Sequence, residues 1–146
     1  MSDNDLRLLA IVDTVSFLKT VDLFEDIPAE YLTSLAEIAE QVSFFANETL
    51  FKEGQRGDSC YLVEEGRIGV KKGRKVVTKL GRGECIGEMA LLDGKPRSAT
   101  CIVEKDARLL RISSDDFSSL LSSQPEMAKA LLRTLAQRLR RVTDRL

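Results

Sequence analysis

The chain has 146 residues, a length typical of one domain with its own hydrophobic core. Hydrophobic residues make up 43% and charged residues 31%, which is too apolar a composition for a disordered chain. The formal net charge of −1 gives no support for nucleic-acid binding through a uniformly basic surface. Histidine is absent, which excludes serine–histidine and cysteine–histidine catalysis and disfavours a metal-dependent enzyme.

The three cysteines, Cys60, Cys85 and Cys101, are widely spaced and match no metal-ligand motif. Their odd number favours thiols in a reducing compartment, and each is expected to be a small buried strand residue. No signal peptide or membrane-spanning apolar run is present. We therefore expect a cytoplasmic protein with no membrane segment, no metal site and no catalytic residues.

The first forty residues are predicted to form two helices. Apolar residues recur at helical spacing over 5–19, with a cap among residues 2–4, and this broad face should pack on the domain or on a partner. After a break over 20–26, Pro28 suits the first position of a helix that runs to about Glu40. Its apolar side consists of Leu32, Leu35, Ala36, Ile38 and Ala39.

From Val42 the periodicity changes to short β-type runs separated by turn signals. Many short strands with regular glycine turns indicate an antiparallel sandwich or roll. The predicted strands are 42–44, 49–51, 60–63, 68–70, 76–78, 99–103 and 109–112. The predicted turns are 46–48, 54–58, 65–66, 72–74 and 81–83.

Two helices are predicted to end the chain. Ser113 or Ser114 can cap a helix over 115–122, and Pro125 begins a last helix that runs to Leu146. The last helix carries an apolar seam with the alternating spacings of a heptad. The seam consists of Ala128, Leu132, Leu135, Leu139, Val142 and Leu146. The opposite side is basic and consists of Arg133, Gln137, Arg138, Arg140, Arg141 and Arg145.

The segment 81–103 carries the main functional signal. Gly87 precedes five residues that favour a helix, and Asp93 with Gly94 should end that helix after little more than one turn. A glycine before a helix lets an anion approach N–H groups that have no intrahelical partner. Arg97 follows, and the planar fork of an arginine can hold two phosphate oxygens.

Glu88 lies between these features and would itself repel a phosphate. It fits if its carboxylate accepts hydrogen bonds from a sugar hydroxyl while the amides and Arg97 bind the phosphate. The implied ligand is a sugar phosphate or nucleotide with a compact anion of low charge.

Two runs in this segment resemble the phosphate-binding cassette of cyclic-nucleotide-binding domains. These are the sensor domains of catabolite-activator-type regulators, cyclic-nucleotide-dependent kinases and gated channels. The runs are Gly87-Glu88-Met89-Ala90-Leu91-Leu92 and Pro96-Arg97-Ser98-Ala99-Thr100. Upstream, residues 54–58, 61–63 and 65–68 are similar to further patterns of the family, so the resemblance extends from about residue 23 to the C-terminus.

The resemblance implies a mixed α+β fold that is mainly β. An eight-stranded antiparallel jelly roll (a double-stranded β-helix) would carry N-terminal helices, a short cassette helix and C-terminal helices. Residues 1–22 would be an N-terminal helical segment. Residues 23–146 would form the cyclic-nucleotide-binding domain, including a lid helix over 125–146.

The family likeness also implies roles for individual residues. Arg97 would make a bidentate contact to the cyclic phosphate, and Glu88 would accept a hydrogen bond from the ribose 2′-hydroxyl. Ser98 would donate its hydroxyl to a phosphate oxygen or only cap the strand. The full set of expected ligand-binding residues is Gly87, Glu88, Met89, Ala90, Arg97, Ser98 and Ala99.

Other residues have structural interpretations. Gly54, Gly57 and Gly66 match the family and are interpreted as positive-φ turn positions. Most of the apolar residues that could form a wall for the base are expected in the core; they are Leu62, Val63, Val70, Val77 and Leu80. In the last helix, the polar candidates for a purine contact are Arg133, Thr134, Gln137 and Arg141, and the choice among them is open.

The leading hypothesis is a sensor domain for cyclic AMP, with no other cofactor, in which ligand binding moves the C-terminal helix. Cyclic GMP is the alternative ligand, since Ser98 is compatible with both. The expected partners are an effector domain or protein and, through the C-terminal helix, a second copy of the chain. Direct DNA binding is not expected, because no helix-turn-helix follows residue 146. Two other classes stay open, an orphan dimerisation or docking module and, less favoured without histidine, a phosphodiesterase.

Overall fold

The structure, a computed structural model, describes residues 1–145 except for the side chain of Met89. The chain divides into two compact units. One consists of residues 38–118, and the other consists of residues 1–37 together with the chain from Ser119 onward. The expected family boundary near residue 23 stays a prediction.

Residues 38–118 form an antiparallel sheet. The strands are β1 Glu40–Phe44, β2 Thr49–Phe51, β3 Ser59–Lys72, β4 Lys75–Leu80, β5 Cys85–Ile86 and β6 Thr100–Ser113. Their order is β1-β6-β3-β4, with β2 paired to β6 and β5 paired to β3. The two long strands, β3 and β6, therefore connect all the others.

The described residues contain six strands, whereas eight were expected. The runs predicted at 60–63 and 68–70 are both parts of β3, because the residues between them continue the strand through shifts in its register with β6. The predicted turn at 65–66 was therefore wrong. Gly66 has φ +104 there, and a Cβ atom on it would lie 2.6 Å from the carbonyl oxygen of Asp106. A glycine is thus required at this irregularity.

The runs predicted at 99–103 and 109–112 are likewise joined in β6, and β5 was not predicted. The mixed class with an antiparallel sheet is confirmed, whereas the eight-stranded jelly roll is not. All three cysteines lie in strands as expected. Cys60 and Cys101 are buried, and Cys85 is half-buried.

The five α-helices in the described residues are α1 Asp3–Leu18, α2 Ala29–Ile38, α3 Glu88–Asp93, α4 Ser114–Ser123 and α5 Pro125–Asp144. Ser2 caps α1 by accepting from the Asp5 N–H at 3.2 Å, and the Asp5 carboxylate accepts from the Ser2 N–H at 3.1 Å. Hydrogen bonding of the Asp5 carboxylate to Ser2, chiefly to its backbone N–H, lowers the pKa of Asp5. Ser113 caps α4, since its Oγ accepts from the Asp116 N–H at 3.2 Å.

Several residues of the apolar faces predicted for α1 and α5 are exposed in the structure. On α1, Phe17 and Leu18 are buried, whereas Leu6, Leu8, Leu9 and Val12 are 51–60% exposed. Packing of that whole face on the domain was therefore wrong, and packing on a partner stays a prediction.

On α5, the buried residues are Met127, Ala130, Leu131 and Thr134. The seam residues Leu132, Leu139 and Val142 are exposed, Ala128 and Leu135 are half-buried, and Leu146 lies outside the described residues. The seam is not the inward face of the helix. None of the described helices combines the length and apolar character needed to cross a membrane.

The sheet encloses an apolar core. Its buried members are Val63, Ile68, Ile86, Cys101, Val103, Ala107 and Leu109. Several half-buried residues pack against this cluster, among them Phe51, Tyr61, Val70 and Leu80. These four residues come from three strands, β2, β3 and β4.

Candidate ligand-binding site

A cavity of about 420 Å³ lies within the unit formed by residues 38–118. This volume is in the range of pockets for small organic ligands. The lining residues are Phe51, Val70, Thr78, Leu80, Cys85, Ile86, Gly87, Glu88, Ala90, Asp93, Lys95, Pro96, Arg97, Ser98, Ala99 and Cys101. Six of the seven predicted ligand-binding residues therefore line one cavity. The side chain of the seventh, Met89, is outside the described part of the structure.

The cassette helix α3 forms as the sequence predicts. Gly87 precedes it with φ +78, and Gly94 follows it with φ +64. The Ala90 N–H donates to the Gly87 carbonyl oxygen at 3.2 Å. The Ala90 amide thus already has an acceptor, and its buried methyl group is what reaches the cavity wall.

The loop that carries Arg97 is held by the turn after β2. The Arg97 N–H donates to the Gln55 carbonyl oxygen at 2.7 Å, and the Gly54 N–H donates to the Arg97 carbonyl oxygen at 2.8 Å. An isolated β-bridge joins Arg56 to Pro96. Both backbone polar groups of Arg97 are therefore fixed by the 54–58 turn, which supports the loop although none of its residues is among the lining residues of the cavity.

The side chain of Arg97 is buried, with 7% of its surface exposed. Its Nη2 donates to the Ser59 carbonyl oxygen at 2.8 Å, and its guanidinium carbon lies 4.1 Å from the centroid of the Phe51 ring. Nε and Nη1 are also buried, and neither has an acceptor among the described residues. A buried cation with two unpaired donors is costly, so the arrangement indicates a site for an anion.

Two glycines make room for this guanidinium. A Cβ atom on Gly87 would collide with Nη1 of Arg97. A Cβ atom on Gly57 would lie 2.5 Å from Cβ of Ala90 and 3.6 Å from the guanidinium carbon. The interpretation of Gly57 as a positive-φ position was wrong, because close approach is what requires glycine there; Gly54 and Gly66 do have positive φ.

Glu88, the first residue of α3, is half-buried and also lines the cavity. Among the described residues, no ion pair joins its carboxylate to Arg97 or to another cation. The lining also includes Asp93 and Lys95, and within it Arg97 and Glu88 are a cation and a carboxylate that are not paired with each other. Such a pair suits a ligand with an anionic group and a separate hydroxyl donor.

Cys101 lies beside the cation. Burial raises the pKa of its thiol to about 11, although the positive charge of Arg97 opposes this shift. The thiol is therefore neutral near pH 7 and does not compete with a bound anion for Arg97.

Sequence reasoning did not single out several lining residues as ligand contacts. Phe51, Thr78, Cys85 and Cys101 fall in this group. Their strands were largely recognised, but which strand positions face the cavity depends on pairing between distant segments. Among the wall candidates, Val70 and Leu80 line the cavity, whereas Leu62 and Val63 are fully buried.

The purine-contact candidates belong to α5. Thr134 is buried, and its hydroxyl donates to Oδ2 of Asp26 at 3.0 Å and lies 3.3 Å from the Ala130 carbonyl oxygen. Arg133, Gln137 and Arg141 are exposed. The choice among them stays open.

Comparison with known families decides the class of the domain. The family model described as the cyclic nucleotide-binding domain matches residues 41–124, which is more than half of the chain. The chain belongs to the cyclic-nucleotide-binding domain family.

Solved structures and curated proteins agree with this family. The N-terminal domain of a transcriptional regulator from Streptomyces coelicolor has 33% sequence identity and a TM-score of 0.82, over 88% of this chain and 95% of that one. A CRP-like cAMP-activated global transcriptional regulator of Mycobacterium tuberculosis is 28% identical over 88% of this chain and 60% of its own length. An uncharacterized NTE family protein of the same organism is 33% identical over 88% of this chain and 22% of its own length. The chain thus spans only part of these curated relatives.

The unpaired donors of Arg97 lead to a prediction about stability. Arg97→Met should change the free energy of unfolding without ligand by less than about 1 kcal/mol, because losing the Ser59 and Phe51 contacts is offset by removing a buried unpaired cation. Urea denaturation measures this change, with Arg74→Met on the exposed β3–β4 turn as the control. A loss above about 3 kcal/mol would mean that Arg97 is chiefly structural.

The approach of Gly87 to Arg97 leads to a second prediction. Gly87→Ala should destabilise the domain by about 1–2 kcal/mol from its positive φ, and by about 1–3 kcal/mol more because the methyl group displaces Nη1. Gly73→Ala is the matched control, since Gly73 also has positive φ (+61) but has open space around its Cβ position. Urea denaturation compares the two variants, and equal losses would contradict the steric role.

Proposed function

We propose that this domain is a non-enzymatic sensor that binds a 3′,5′-cyclic nucleotide, with cyclic AMP preferred over cyclic GMP. The observation that carries the proposal is the buried guanidinium of Arg97, a cavity-lining residue with two donors that lack an acceptor among residues 1–145. A cyclic phosphate is a compact monoanion whose oxygens can accept from such a fork.

The cavity supports one role for each expected ligand-binding residue. Arg97 contacts the phosphate, with Gly87 and the backbone start of α3 beside it and Ser98 and Ala99 following on the loop. Met89 and Ala90 take part as residues of the first turn of α3, which lies beside the phosphate. Glu88 accepts a hydrogen bond from the ribose 2′-hydroxyl. The apolar wall formed by Val70, Leu80 and Ile86 fits the purine face.

Cyclic AMP is proposed on the basis of the relatives. Among them are a CRP-like cAMP-activated regulator and a cAMP-dependent protein kinase regulatory subunit from Aspergillus fumigatus, which is 32% identical over 73% of this chain. The absence of histidine from the sequence supports a role without catalysis. We place the sensor in the cytoplasm, where its ligand would arise.

Signal output is proposed to pass through α5. Ligand binding would favour one of two states of this helix by its difference in affinity for them. The exposed residues Leu132, Leu139 and Val142 are an apolar seam that an effector protein or a second copy could cover in one of those states. If the domain binds no nucleotide, this seam favours the alternative of a dimerisation or docking module.

Calorimetric titration of the purified chain with cyclic AMP, and separately with cyclic GMP, tests the proposal. We expect saturable one-to-one binding with a lower Kd for cyclic AMP, and recovery of the nucleotide unchanged by chromatography. Absence of binding by folded protein that is free of co-purified nucleotide would refute the sensor. Recovery of AMP instead would indicate a phosphodiesterase.

The role of Glu88 has its own test. Removing the ribose hydroxyl leaves a carboxylate without its donor, so 2′-deoxy cyclic AMP should bind the wild type roughly 10–100-fold more weakly than cyclic AMP. In Glu88→Ala the two ligands should bind within about threefold of each other. Competition binding measures all four affinities, and an undiminished preference in the variant would assign the hydroxyl contact to another residue.

A further inference from the structure

The aromatic ring beneath Arg97 has no assigned role in ligand binding. The Phe51 ring centroid lies 4.1 Å from the guanidinium carbon, and both residues line the cavity. We propose that Phe51 is a positioning residue: its ring sets the plane of the Arg97 guanidinium and so aims the unpaired donors at the phosphate. This inference rests on the proposed function, because it assigns a supporting residue to the same site.

The hydrogen bonds of Arg97 within the described structure do not fix the plane of its guanidinium. One bond from Nη2 to the Ser59 carbonyl oxygen, 2.8 Å long, anchors the guanidinium at a single point. The group could still tilt about that bond, and no other acceptor among the described residues holds Nε or Nη1. All donors of a guanidinium lie in its plane, and hydrogen bonds weaken steeply as their angle departs from linearity. Control of the plane is therefore control of the phosphate contact.

An aromatic face is suited to this control. A cation over the face of a ring gains about 0.5–2 kcal/mol, with the larger values in desolvated sites. Arg97 is 7% exposed, so its contact belongs to the desolvated kind. An aliphatic side chain of similar volume would fill the space but would give no flat, electron-rich surface to fix the plane.

The strand geometry directs Phe51 to this position. Strand β2 pairs with β6 through Thr49 opposite Ile102 and Phe51 opposite Cys101, so the register shifts between the two pairs. A β-bulge of this kind re-aims the side chains that follow it. The Tyr61 ring lies 6.4 Å from the Phe51 ring at an angle of 34° and packs with it.

The simpler interpretation is that Phe51 only fills space between the core and the cavity, since it packs partly against the core cluster. The two interpretations differ in what they predict for ligands. A ring that fills space supports every ligand of the cavity alike. A ring that orients Arg97 matters only for a ligand that carries a phosphate.

The experiment compares cyclic AMP with adenosine, which has the same base and ribose but no phosphate. Chemical-shift titrations by NMR give both dissociation constants, including weak ones, and report whether each variant is folded. Phe51→Leu should raise the Kd for cyclic AMP about 3- to 30-fold, from the cation–π range above. The Kd for adenosine should change less than twofold, and Phe51→Tyr should restore cyclic AMP binding to within about threefold of wild type.

Val70→Ala is the matched control, because Val70 lines the same cavity and its aliphatic side chain has no ring face to offer a cation. It should weaken both ligands by similar factors. Phe51→Met, which keeps most of the volume, replaces Phe51→Leu if that variant does not fold.

Equal weakening of both ligands by Phe51→Leu, or no weakening of cyclic AMP, would overturn the positioning role and leave the sensor function standing. Failure of Phe51→Tyr to restore binding would also overturn it. A wild-type chain that binds neither cyclic AMP nor cyclic GMP would instead overturn the proposed function, and this inference with it.

Discussion

The burial of the Arg97 guanidinium, with no carboxylate paired to it in the part of the chain that the structure describes, is the constraint on which the site depends. An arginine in this position must be held in place, because its unpaired donors would otherwise turn toward any available carbonyl oxygen. Four separate segments supply the restraint: the 54–58 turn binds its backbone, Ser59 accepts from Nη2, Phe51 lies under the guanidinium, and Gly87 leaves room for Nη1. A solvated surface arginine would not need these four restraints.

The sheet explains how distant segments meet at one side chain. Strands β3 and β6 each run for 14 residues and change register along their length, so each can pair with several shorter strands. This pairing brings β2 and β5 to one cavity, together with the cassette helix that follows β5. The irregularities are therefore part of the site, since a bulge changes the direction in which later side chains point.

The cassette could be predicted from sequence because its signals are local. Gly87 and Gly94 bracket α3 within eight residues, and both the start and the end of the helix agree with the prediction. The strand count could not be predicted in the same way. Glu65 and Gly66 have the composition of a turn, but Glu65 pairs with Arg108 of β6, and Gly66 lies at a shift in register within β3. The composition of a short segment does not predict pairing with a residue as distant in the sequence as Arg108.

Phe51 and α5 show the same limit for side-chain direction. The strand 49–51 was predicted, but the shift in register that aims Phe51 at Arg97 comes from its pairing with Cys101. The sequence of α5 contains two sets of apolar residues at helical spacing. The heptad seam is the more regular set, and the pattern therefore predicts it as the apolar face. The buried set instead contains Met127, Ala130 and Leu131 with Thr134, whose hydroxyl is satisfied by Asp26. Thr134 can lie on the buried face because Asp26 accepts from its hydroxyl. A pattern of apolar residues alone does not predict such a position.

In the proposed sensor, the stability of the folded domain would differ between the empty and the loaded state, because two buried donors of Arg97 have no acceptor among the described residues. Without an anion, the buried donors of Arg97 lower the stability of the folded domain. A bound anion removes that cost and adds stability that grows with ligand concentration. An apolar residue at position 97 is expected to leave the stability of the empty domain within about 1 kcal/mol of the wild type, but it would remove the proposed phosphate contact. In the proposed sensor, the buried donors of Arg97 are a cost to the empty domain, and a bound anion would turn that cost into a dependence of stability on ligand.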